Sequence, residues 1–95
     1  MWLLMGMQFE WDENKRAANR DRHKLDLIDG TLLFDGRPII DYLSPRGDEL
    51  RLVTIGLIGT KFYAVVWTER GDAIRLISFR RARDGEERAY RARYG

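Results

Sequence analysis

Polar and apolar positions alternate over Gln8-Phe9-Glu10-Trp11, which predicts a short edge strand, and Asp12 then offers a side-chain oxygen to open a helix over 13–23. That helix has only Ala17 and Ala18 as apolar interior among Lys15, Arg16, Asn19, Arg20, Arg22 and His23, so it is expected to pack thinly behind a broad charged surface. Asp26 is a second N-cap, and Leu27, Ile28, Thr31, Leu32 and Phe34 give an apolar stripe for a short second helix that belongs to the core. Gly30 in its middle weakens a helix by up to about 1 kcal/mol relative to alanine, which points to close backbone approach to a sheet. Four strands follow, at 37–43, 50–57, 62–68 and 73–79, joined by Gly-, Pro- and Asp-containing segments of hairpin length. Short connections demand antiparallel neighbours, so these residues are expected to form a meander. A charged helix from Arg83 to Tyr94 closes the chain. The pattern predicts an α+β fold: an antiparallel sheet of four to five strands, two N-terminal helices packed on one face, and a C-terminal helix.

Residues 7–95 read as a single domain, and the six residues before Met7 as a disordered or alternative-start extension. The opening apolar segment is too short to cross a bilayer, so the cytoplasm is the expected location, with no membrane partner. With no cysteine and one histidine, neither a disulfide framework nor a Cys/His metal site can be built, and neither metal nor cofactor is expected. The net charge is only +2, yet all but three of the 17 basic residues are arginine. Arginine presents a rigid fork of donors to phosphate and stays charged, which suits RNA; a coding bias towards arginine gives the same composition.

Three segments resemble one family. Phe9-Glu10-Trp11-Asp12-x-x-Lys15-x-x-x-Asn19-x-x-x-His23, then Thr68-x-Arg70-Gly71-Asp72-x-Ile74-Arg75-x-Ile77-Ser78, then Arg80-Arg81-Ala82 leading into a helix with Tyr90 are similar, in order and spacing, to BrnT toxins. The resemblance implies a RelE-like fold and a ribonuclease toxin of a type II toxin-antitoxin system. Its implied partners are a BrnA-type antitoxin, an RNA substrate, and operator DNA reached only through the antitoxin complex. Two positions depart from the family pattern: Lys24 stands where glycine usually closes the first helix, and Gly30 replaces a more typical alanine.

Metal-free RNA cleavage uses the neighbouring 2′-hydroxyl as nucleophile and needs a proton acceptor, a donor for the leaving oxygen, and cations for the pentavalent phosphate. His23 is the one side chain with an ordinary pKa suited to proton transfer near neutrality; as a cation at a helix C-terminus it reads equally as a capping group. By resemblance, an arginine after the last strand and a tyrosine on the closing helix belong to the active site, which points to Arg80 or Arg81 and to Tyr90, with Arg75 in support. Strict alternation puts Arg75 and Arg80 on opposite faces unless a bulge re-aims one. Lys15 and Asn19 precede His23 on one helical face and are candidate RNA contacts, as are Arg70, Arg81 and Arg83; a solvated surface gives the same pattern. Glu69 is a weaker candidate base, and Trp2, Trp11 and Trp67 are candidates for base stacking or, for Trp67, core and, for Trp11, core or antitoxin interface. The rival readings are a toxin fold without catalysis, acting through antitoxin and operator binding, and a small nucleic-acid-binding domain.

Overall fold

The computed structural model describes residues 2–4 and 7–95. Six strands form one sheet: β1 (Trp2–Leu4), β2 (Met7–Glu10), β3 (Ile39–Leu43), β4 (Leu52–Ile58), β5 (Lys61–Arg70) and β6 (Ala73–Arg81), in the order β1-β2-β6-β5-β4-β3. Helix α1 (Glu13–His23) and a 3-10 helix (Leu27–Phe34) follow β2, and α2 (Asp84–Tyr94) ends the chain. Of the expected extension, Trp2–Leu4 pair antiparallel with β2, while Met1, Met5 and Gly6 lie outside the described residues.

The expected meander is present, β3 through β6 pairing antiparallel in sequence order. The sheet as a whole is mixed rather than antiparallel, because β2 runs parallel to β6 from Gln8↔Ala73 to Glu10↔Arg75. The hairpin argument governs only strands joined by short turns, and β2 is separated from β6 by both N-terminal helices and the rest of the sheet.

The helices differ from the expectation in type and placement. The second is a 3-10 helix in which Leu27, Gly30 and Leu33 are buried at every third position, the period that eclipses side chains on one face of that helix, with Thr31 buried beside them. It packs Leu27 and Leu33 with Phe9, Val65, Leu76 and Phe79 in a core on one face of the sheet. The approach is close: a Cβ on Gly30 would lie 2.8 Å from Val65 Cγ2, and one on Gly56 2.6 Å from Leu33 Cδ2. On the opposite face α2 contributes Tyr90 to a second core with Val53, Ile55, Phe62 and Ala64. The two N-terminal helices therefore do not share a face.

Instead α1 lies against the edge of β6 that β2, three pairs long, leaves open. Its one buried residue, Asn19, acts as a surrogate strand: the side-chain amide donates to Phe79 O (2.9 Å) and Leu25 O (2.9 Å) and accepts from Phe79 N–H (2.8 Å). Arg16 grips Asp26 through Nε (2.9 Å) and Nη2 (3.0 Å), while the same carboxylate caps the 3-10 helix at Ile28 N–H. Lys24 closes α1 in the left-handed region, φ 59° and ψ 30°, its N–H donating to Arg20 O. Lysine thus adopts the conformation for which glycine is usual.

A bulge in β6 sets the direction of its side chains. Val66 pairs with Ser78 and Trp67 with Leu76, so Ile77 is an inserted residue. The insertion lets Leu76 and Phe79 both enter the core on the 3-10 helix side, and turns Arg80 to the other face.

Candidate functional site

The face of the sheet bearing α2 holds an open groove of about 560 Å³. Its floor is Val53, Val66, Ile77 and Ser78; α1 walls one side with Lys15, Ala18, Asn19, Arg22 and His23, and the end of β3 with its loop walls the other with Tyr42, Ser44, Arg46 and Arg51. Arg80 and Arg83 complete it. Among the described residues six lysines and arginines and the histidine face this space, and no carboxylate lines it. Arg51 is paired with Glu49 at 2.7 Å, whereas Arg22, Arg46 and Arg83 form no salt bridge among the described residues. So one-signed a concavity concentrates positive potential where a polyanion can enter.

Arg80 is 8% exposed and is held as a fork: Nη1 and Nη2 donate to Glu86 Oε1 (2.8 Å) and Oε2 (2.9 Å). Glu86 also accepts from Arg83 N–H (2.8 Å) and from the Tyr42 hydroxyl, tying β3, β6 and the start of α2 together. Burial alone would raise the Glu86 carboxyl, but the Arg80, Arg83 and Tyr42 hydrogen bonds outweigh it and hold the pKa at about 2. Burial, and then the hydrogen bond to Glu86, push the Tyr42 hydroxyl above its ordinary value, so it stays protonated. Arg80 is thereby oriented as one half of a buried bidentate ion pair, with its Nε–H outside that pair.

At the C-terminal end of α1, His23 is held below the ordinary imidazole pKa, first by burial and then by the charges of Arg22 and Arg80. A neutral imidazole at neutral pH is a proton acceptor, the form a general base requires.

A family model described as "Ribonuclease toxin, BrnT, of type II toxin-antitoxin system" matches residues 11–86. The chain belongs to the BrnT family. No individually curated protein matches it. Membership places it among ribonuclease toxins and implies an antitoxin partner.

Seen as a BrnT protein, the chain brings together some of the expected residues and separates others. Lys15, Asn19, His23, Arg80 and Arg83 all line the groove. Asn19, however, has its amide committed to Phe79 and Leu25, so it fixes the wall rather than offering a free donor. Arg75 reaches the same face as Arg80 because of the bulge, but its guanidinium donates to Glu10 Oε1 of β2 (3.2 Å) and lies outside the groove. Arg81 turns away, donating to Phe62 O (3.3 Å) and resting over the Tyr63 ring. Tyr90 is 8% exposed within the core under α2 and donates to Pro38 O (3.2 Å). Arg70 and Glu69 end β5 outside the groove. Trp67 packs against the core and donates to Thr54 Oγ1 (2.8 Å), and Trp11 packs there too while donating to Glu13 Oε2 (2.6 Å).

Tyr42, Arg22, Arg46, Arg51 and Ser78 were not singled out by the sequence. Arg22 had a signal: it stands three and seven residues beyond Asn19 and Lys15, the spacing of one helical face. Tyr42 and Arg51 had a fainter one in the two-residue alternation of β3 and β4 across their hairpin. Among the described residues no helix is long and apolar enough to cross a membrane, and no cluster of three His, Asp or Glu is set to hold a metal ion.

Proposed function

We propose that this BrnT protein is an endoribonuclease that cleaves RNA in the cationic groove by metal-independent transesterification, and that a BrnA-type antitoxin silences it. The observation that supports this reading is a groove lined, among the described residues, by six lysines and arginines and one histidine, with no carboxylate. Neutral His23 takes the proton of the 2′-hydroxyl, whose oxygen forms a bond to phosphorus as the bond to the 5′-oxygen breaks. The products are a 2′,3′-cyclic phosphate and a 5′-hydroxyl, the leaving oxygen taking its proton from water admitted by the open groove. Arg80, fixed by Glu86, meets the charge that accumulates on the phosphorane, and Arg22 and Arg83 hold flanking phosphates. Asn19 keeps the wall bearing His23 in place. The RelE-like character of the fold belongs to the same proposal, supported by an α+β meander with its cations at the end of the last strand.

The test is induced expression of the chain with growth followed and RNA mapped for new 5′ ends. Growth arrest with defined cleavage sites, relieved by co-expressed antitoxin, is expected. His23→Ala should abolish both while leaving antitoxin binding intact. Arg80→Lys is preferable to Arg80→Ala, which would strand the Glu86 charge in a buried position. Intact RNA and normal growth from folded, wild-type protein would favour the non-catalytic reading.

A further inference from the structure

We infer that Tyr42 is a base-binding platform: the groove takes an unpaired nucleobase stacked on this ring, beside the phosphate held by Arg80. The inference rests on the RNA-cleaving reading and adds to it a subsite for the base. Among the described residues Tyr42 is the one Phe, Tyr or Trp side chain lining the groove, and the rest of the lining is cations, His23, small polar groups and a few aliphatic and small residues. It is 40% exposed, although its hydroxyl is bonded to Glu86, itself 8% exposed. The polar end of the side chain is therefore anchored, while the residue stays exposed on the wall of the groove. A ring fixed at both its strand and its hydroxyl has lost its rotamer freedom before any ligand arrives, so stacking requires no further ordering of it.

The neighbours favour a nucleotide over any other aromatic or apolar ligand. Glu86 Oε2 receives both the Tyr42 hydroxyl and Arg80 Nη2, so the ring and the fixed guanidinium flank one oxygen atom. A base lying on the ring thus has its own phosphate beside a cation. Arg46 and Arg51 line the same wall as Tyr42 and meet the next phosphate along the strand. Only a base free of its pairing partner can present its face to a side chain in this way, because in a duplex both faces are covered by neighbouring pairs. The hydroxyl, directed at Glu86 and away from the groove, has no part in the stacking.

The measurement is a fluorescence titration of the full chain with a single-stranded RNA oligomer, 2′-O-methylated against cleavage and bearing 2-aminopurine at successive positions. Wild type should quench the probe at one position. Tyr42→Phe and Tyr42→Trp should bind within about threefold of wild type with the quenching retained, whereas Tyr42→Ala should bind about tenfold more weakly and lose the quenching. If Tyr42→Ala does not fold, an abasic nucleotide at the quenched position should weaken wild-type binding by the same factor. Equal affinity for Tyr42→Ala and wild type, equal affinity for abasic and intact RNA, or a loss in Tyr42→Phe as large as in Tyr42→Ala would each overturn the platform while leaving the ribonuclease reading standing. Wild-type protein that binds no RNA would overturn both.

Discussion

Asn19 meets both backbone groups of Phe79 with the two ends of one amide, replacing a strand that β2 is too short to supply. Truncation would leave a buried N–H and a buried C=O unpaired. Asn19→Ala should therefore destabilise the fold by about 2–4 kcal/mol, read as a lowered urea midpoint with little change in slope. The sequence showed Asn19 on the face shared with Lys15 and His23, and that placement holds. Its structural role was hidden, because nothing local reveals a hydrogen bond sixty residues away. His23 stands at the other end of that face, and its lowered pKa has a readable sign. Protonation removes the base, so kcat/KM for RNA should fall as pH drops through a value below 6.5 and level off above it. Arg22→Gln removes one of the charges that disfavour the imidazolium, so the midpoint of this limb should move to higher pH.

Element by element, the local signals were readable and the long-range pairings were not. The caps Asp12 and Asp26, the bounds of α1 and the meander of β3 to β6 follow from alternation, capping chemistry and turn lengths. The parallel pairing of β2 with β6 has no turn to announce it, and Ile77 carries no mark of a bulge, being as fit for a regular strand as its neighbours. The sequence shows a second helix but not its 3-10 type, because Ile28, Leu32 and Phe34 are apolar too and mask the three-residue spacing of Leu27, Gly30 and Leu33. Gly30 itself was read correctly as a point of close approach. Alanine there meets Val65, a β-branched and fully buried side chain with no rotamer to retreat into. Gly30→Ala should cost about 1–3 kcal/mol by thermal or denaturant unfolding, and Val65→Ala in the same chain should recover part of the loss attributable to the clash.

Across the whole molecule a net charge of +2 conceals a separation of charge: cations converge on one groove, while Glu10, Glu13, Asp26, Asp35 and Glu87 pair with arginines outside it. Composition reported the arginines, but only the fold places Arg22, Arg46 and Arg51 with Arg80 and Arg83, drawn from three separate stretches of sequence. If about four to six of the groove's lysines and arginines meet phosphates, the logarithm of single-stranded RNA affinity should fall against the logarithm of salt with a slope of about −3 to −4. A slope near zero would remove the groove as the binding surface. The wall of that groove has a further property. No apolar side chain of α1 is fully buried; the helix is held by one amide and a few ion pairs, whereas the sheet is fastened by two apolar cores. Unfastening α1 therefore exposes little that water would resist, and amides 16–23 should exchange with deuterium through openings well short of global unfolding. Each such opening withdraws Lys15, Arg22 and His23 together and leaves the ladder of pairings from β2 to β3 intact, a toxin disarmed without being denatured. RNA, by gripping the closed form, should slow exchange in α1 more than anywhere in the sheet.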